Sequence, residues 1–110
     1  MKKFIAIYNA PAAVMAQNAN MTKEDMEKGM QAWFAWKAQN EKHIVDFGAP
    51  LMPGQSTIKG GGWNPINSQT AGYSILQAES LDEIKATFAN HPHLNWGEGC
   101  TIALHEFAPM

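Results

Sequence analysis

His91-Pro92-His93 is the group in this chain best suited to chemistry. Imidazole changes charge near neutral pH, so two of them two residues apart suit proton transfer or metal ligation. In an extended segment they point to the same side. The competing reading has His91 closing a helix C-terminus, where a cation is favoured, with His93 in solvent. A metal site needs a third ligand, for which Asp46, Glu98, His105 and Glu106 are the candidates. None stands at a diagnostic spacing, so no metal is expected. Asp46 interrupts an apolar run and would be costly to bury unpaired. It either caps a loop or lines a cleft. His43, three residues earlier, reads as a solvated residue at a helix end.

The remaining candidates are aromatic or reactive side chains. Trp33 falls on helical spacing with Met26 and Met30, a stripe that normally packs a core. Trp63 and Trp96 lie in loops, where a large aromatic closes a pocket or packs at an interface. Lys37 continues the Trp33 stripe and either snorkels its ammonium to the helix edge or stands at a cleft mouth. Cys100 has no basic neighbour in sequence and reads as a buried, inert thiol. As the lone cysteine it excludes an internal disulfide and fits a reducing compartment. Gly60-Gly61-Gly62 lacks the spacing of a dinucleotide or phosphate loop, so no nucleotide cofactor is expected.

These residues must be positioned by a small set of elements. Lys3 to Tyr8 reads as a first strand, and Asn9 to Asn20 as a connection with room for a short helical turn. Thr22 caps a helix over Lys23 to Gln39, with Glu24 at its positive end. Ile44 to Phe47 is a second strand, followed by a bend at Gly48-Ala49-Pro50-Leu51. Tyr73 to Ala78 is the third strand. Ser80 and Glu83 form a capping box that opens a helix over Leu81 to Ala89. Pro92 ends that helical region. Cys100 to Phe107 is the fourth strand.

The order β-α-β-β-α-β predicts an α+β, ferredoxin-like subunit with a four-stranded antiparallel sheet and helices on one face. The helix-free face should then be polar. It is not: Ile5 and Ile7 oppose Phe4, Ala6 and Tyr8, while Ala103 and Phe107 oppose Ile102 and Leu104. A second copy packed on that face, giving a homodimer, is the simplest cover.

Bulk properties agree with one domain over residues 1–110. Only 16% of residues are charged, which suits a surface partly hidden in a partner. Net charge is −2, with no basic cluster beyond Lys2-Lys3, so no nucleic-acid partner is expected. The apolar run after Lys3 is too short for a secretory signal. No segment approaches the ~20 apolar residues of a membrane span, so a cytoplasmic location is expected.

The segment GYSILQAESLDEIKATFANHPHL, the final strand ending in HEF, and IVDFGAPLMPG together resemble the YCII-related proteins. That resemblance covers most of the chain and implies a dimeric α+β barrel. One branch of the family is implicated in dehydrochlorination of an aromatic ring. Other proteins of the same barrel fold are monooxygenases or isomerases. Many relatives carry Asp-Gly-Pro-Phe before the third strand, where this chain has Gly61-Gly62-Trp63-Asn64-Pro65. Shorter relatives have Asp-Pro where His91-Pro92 stands here, and a histidine on or before the first helix that this chain lacks. His91 alone therefore maps onto a family active-site position.

The expected function is a small-molecule pocket protein. As a cofactor-independent enzyme it would act on a small cyclic or aromatic organic acid. His91 would be the acid–base group, oriented by His93 or Asp46, with Trp33 and Trp96 lining the pocket. The alternative is a non-catalytic ligand-binding or interaction module.

Overall fold

The computed structural model describes residues 1–18 and 20–110. Its elements are β1 (Lys2–Asn9), α1 (Ala12–Asn18), α2 (Lys23–Gln39), β2 (Ile44–Pro50), β3 (Gln55–Thr57), β4 (Trp63–Pro65), β5 (Thr70–Ala78), α3 (Leu81–Thr87) and β6 (Thr101–Glu106). Short 3-10 turns cover Glu41–His43 and Pro92–Asn95. The main sheet runs β2-β5-β1-β6, every neighbouring pair antiparallel. That is the ferredoxin-like arrangement expected from the order of elements.

Alternation along β1 and β5 sets the two faces of the sheet. Phe4, Ala6, Tyr8, Ser74, Leu76 and Ala78 are buried, and the alternate residues are half-exposed. Ile84 and Phe88, from α3 and its end, join Phe4, Leu76 and Trp36 in one core. The opposite face carries Ile5 across from Ile75 and Ile7 across from Tyr73, all four half-buried.

Both helix caps fall where local chemistry places them. Thr22 accepts from the Asp25 amide at 3.1 Å, and Ser80 accepts from the Glu83 amide at 3.2 Å. Glu83 reaches back to the Glu79 amide at 3.1 Å, one residue earlier than a standard capping box. Glu83 also lies 3.6 Å from His43 Nε2, and His43 Nδ1 meets the Gln77 carbonyl at 3.1 Å. His43 is therefore a buried tie between β5 and α3, not the solvated residue its position suggested.

Two features depart from expectation. The bend at Gly48–Pro50 is part of β2, which pairs with β5 through shifts in register on either side of Asp46. Gly48 has φ +80°, and a Cβ there would run into the Tyr73 carbonyl, so the irregularity requires glycine. The Gly60–Gly62 turn joins β3 to β4 in a hairpin that pairs only with itself. This arm leaves Met52, Ile58 and Trp63 exposed. The Cα radius of gyration is 15.4 Å, against about 13 Å for a compact domain of this length.

Helix α2 is unusual in burying so little. Trp36 is its only buried residue, with Nε1 donating to the Thr87 carbonyl at 2.7 Å. Trp33, on the stripe read as core, is only partly buried. The N-terminal turns of α2 overhang the sheet instead of packing on it. A cleft opens beneath them.

Candidate functional site

The cleft lies between α2 and the ends of β1, β2 and β5, with a volume of about 480 Å³. Three pairs of neighbouring rings line it: Tyr8 with Trp33, Phe34 with Phe47, and His93 with Trp96. No Asp, Glu, Lys or Arg is among the described residues that line it. A carboxylate bound here would lie unpaired in an apolar wall, at considerable cost. The expected organic-acid ligand therefore has no counterpart in the site.

His93 is the titratable imidazole in the wall. Its Nε2 lies 2.8 Å from the Asn9 carbonyl, which can only accept, so Nε2 carries the proton of the neutral ring. Nδ1 is then an acceptor, and it has no protein partner among the described residues. Burial is nearly complete at 2% exposure, yet the residue borders the cavity.

His91 sits behind the wall. Pro92 begins a 3-10 turn, so the pair is not extended, and His91 caps that turn through Nδ1 accepting from the His93 amide at 3.0 Å. The ring proton is therefore on Nε2, which has no hydrogen-bond partner among the described residues. Aromatic rings surround it: Tyr8 stacked at 5.0 Å, Trp33 and Trp36 edge-on at 4.4 and 4.5 Å, and Phe88 at 5.4 Å. Burial, and secondarily the charge of His93, hold the His91 pKa down at about 3. His91 is wholly buried and does not border the cleft. The expectation that it faces the pocket is corrected on that ground, because the turn swings its ring into the core.

Asp46 is not among the residues that line the cleft, although its partners Gly48 and Tyr73 are. It is exposed, accepts from the Gly48 amide at 2.8 Å, and receives the Tyr73 hydroxyl at 3.4 Å. It caps the irregular segment of β2, and no hydrogen bond joins it to either histidine among the described residues. Trp33 and Trp96 do border the cavity. Lys37 holds its ammonium 5.1 Å over the Phe47 ring, at the edge of α2. Cys100 is buried, which pushes its thiol pKa up.

Tyr8 was not visible as a site residue in the sequence. Ser74 Oγ donates to the Phe47 carbonyl at 2.6 Å, which uses its one proton. The Tyr8 hydroxyl, 2.8 Å from Ser74 Oγ, must therefore be the donor to it. Burial pushes the Tyr8 pKa up to about 12, partly offset by the Ser74 bond. Tyr8 stays protonated, and its oxygen keeps only lone pairs. The one available signal was Ser74, a hydroxyl on the same face of β5 as the apolar Leu76 and Ala78.

Fold and site together define a ferredoxin-like α+β domain with an uncharged aromatic cleft between α2 and the sheet. Among solved structures the chain is similar to 5-chloro-2-hydroxyhydroquinone dehydrochlorinase (TftG) of Burkholderia phenoliruptrix AC1100, in complex with 2,5-dihydroxybenzoquinone. The match has a TM-score of 0.50 and 20% identity over 94% of this chain and 91% of that one. This likeness supports the fold that the YCII resemblance implies. The chain matches no family model, and no curated protein is significantly similar to it.

Proposed function

We propose that the cleft binds a small, uncharged aromatic molecule bearing a hydroxyl group, and that His93 accepts the hydroxyl proton without help from a cofactor. The observation carrying this is the Asn9 carbonyl bond, which leaves Nδ1 of a cleft-lining imidazole as an acceptor amid aromatic walls. A phenolic hydroxyl donates to such an acceptor, and its ring packs against Tyr8, Trp33 or Trp96. Moving that proton to Nδ1 enriches the ring in electrons, the opening step for expelling or shifting a substituent. The similar dehydrochlorinase is named for a chlorinated hydroxylated ring, which supports a ligand of this class. His91 takes the positioning role first given to His93, through its bond to the His93 amide. Asp46 takes no part in proton transfer.

Titrating the protein with phenol and hydroquinone, read by tryptophan fluorescence, tests this reading. His93→Leu is expected to weaken binding at least tenfold, the scale of leaving a buried donor unpaired. Asp46→Asn is expected to change it less than twofold. Binding unaffected by His93→Leu removes the assignment. The second reading, a binding module without turnover, is favoured by one observation: among the described residues no acidic side chain lines the cleft with His93.

We also propose that the chain is a divergent YCII-related protein working as a cytoplasmic homodimer through the open face of the sheet. The isoleucines of β1 and β5 support this, as does the lone free cysteine. Sedimentation at micromolar concentration should give twice the chain mass, and Ile75→Lys should halve it. A stable wild-type monomer would contradict the proposal, since interfaces of about 800 Å² per partner persist at such concentrations.

A further inference from the structure

The cleft changes character from its inner to its outer end. Tyr8 and His93, at the inner end, are each 2% exposed. Met26, Met30 and Phe34, which line the outer part from α2, are 49%, 55% and 51% exposed. These three are spaced four residues apart and so form one stripe on the helix. Met21 continues the same lining. The hydrogen-bonding side chains are thus deep, and the half-exposed apolar ones are at the mouth.

Size points the same way. A dry cavity of about 150 Å³ accepts benzene, and this cleft is about 480 Å³. One ring fills a third of it. Gly29 adds a second, independent sign. It costs α2 up to about 1 kcal/mol relative to alanine. Yet a Cβ there would meet nothing within 4 Å, so packing does not require glycine. Gly29 borders the cleft, where a side chain would take up ligand volume. Methionine suits such a wall because its flexible thioether adapts to chains of different shape.

We propose that the ligand is a phenol carrying a hydrocarbon side chain of several carbons, its hydroxyl at His93 and its chain along Met26, Met30 and Phe34. This rests on the function proposed above and extends it from a ring to an amphiphile. The ring occupies the inner end, and the chain covers the half-exposed stripe of α2.

The test is a fluorescence titration of the full chain with phenol, 4-propylphenol and 4-hexylphenol. Affinity should rise about threefold to fourfold per methylene, the usual scale of apolar burial, and level off once the stripe is covered. Met26→Gln with Met30→Gln should cut the hexylphenol-to-phenol ratio at least tenfold and leave phenol binding unchanged. Both positions are half-exposed, so the fold should tolerate the change, which a thermal melt verifies. Hexanol, with the chain but no ring, should bind at least tenfold more weakly than hexylphenol. Phenol that binds without any gain from chain length overturns this proposal and leaves the parent reading intact. A chain-length gain that survives the double substitution also overturns it. If the double variant instead loses dimer mass, a second copy covers the stripe and the proposal fails. Failure of both phenol and hexylphenol to bind removes the parent reading, and this one with it.

Discussion

Lowering the pH from 7 to 5 should cost the fold about 2 kcal/mol, and His91→Phe should abolish most of that loss. In the folded chain His91 has a pKa of about 3, while in the unfolded chain it returns to about 6.5. Above pH 6.5 neither state binds this proton, and the full stability is present. Between 6.5 and 3 only the unfolded chain takes it up, so stability falls as the pH falls. Each pH unit inside that window is worth about 1.4 kcal/mol. Phenylalanine matches the apolar cage of Tyr8, Trp33, Trp36 and Phe88 in character, but its ring is larger and it leaves the His93 amide without its acceptor. His91→Phe should therefore lose about 1–3 kcal/mol at pH 7. Urea unfolding of both proteins at pH 7, 6 and 5 provides the comparison. Parallel pH profiles would mean that His91 is not buried neutral.

Trp36→Ala should destabilise the chain by about 3–5 kcal/mol, the range for emptying a large aromatic site. That is a large part of the 5–15 kcal/mol typical of a domain. Trp36 is the only buried α2 side chain, and it packs 5.2 Å from Phe88 and 4.5 Å from His91. Its loss detaches the helix from the sheet as well as opening a cavity. Trp33→Ala offers the contrast, since Trp33 is partly buried and borders space that is already open. Its cost should be smaller by at least 1 kcal/mol, by the share of its surface never removed from water. Equal losses in the two variants would show that α2 is held along its length and not chiefly at Trp36.

Strand order and helix positions were legible because they are written in local chemistry. Alternation of Phe4, Ala6 and Tyr8 marks a strand, and Thr22, Ser80 and Glu83 mark helix starts by satisfying free amides. The hairpin was not legible. Gln55–Thr57 and Trp63–Pro65 are too short to show a period, and three glycines between them read equally well as a loose turn. The site divides along the same line. Large aromatics in loops pointed to Trp96, and helical spacing brought Trp33 forward. The roles of the two histidines depended on a turn that spacing cannot distinguish from extended chain. Asp46 satisfies an amide two residues away, a local use that leaves no trace in composition. Tyr8 becomes a site residue only through the register that sets β1 beside β5 and brings Ser74 to its hydroxyl.

The self-paired β3–β4 hairpin divides the molecule into two grades of cooperativity. Two strands with no third partner have marginal stability in water, while β1 and β5 lie at the centre of a four-stranded sheet. Among the described residues, opening the arm breaks no hydrogen bond of that sheet beyond its root, where the Leu51 amide meets the Ala71 carbonyl. Amide exchange in the arm can thus proceed by local opening at low free energy, while β1 exchanges only with the whole domain. Changes in arm length over evolution would be absorbed there, leaving the floor of the cleft unchanged. The chain can vary what it shows to the outside independently of what it holds within.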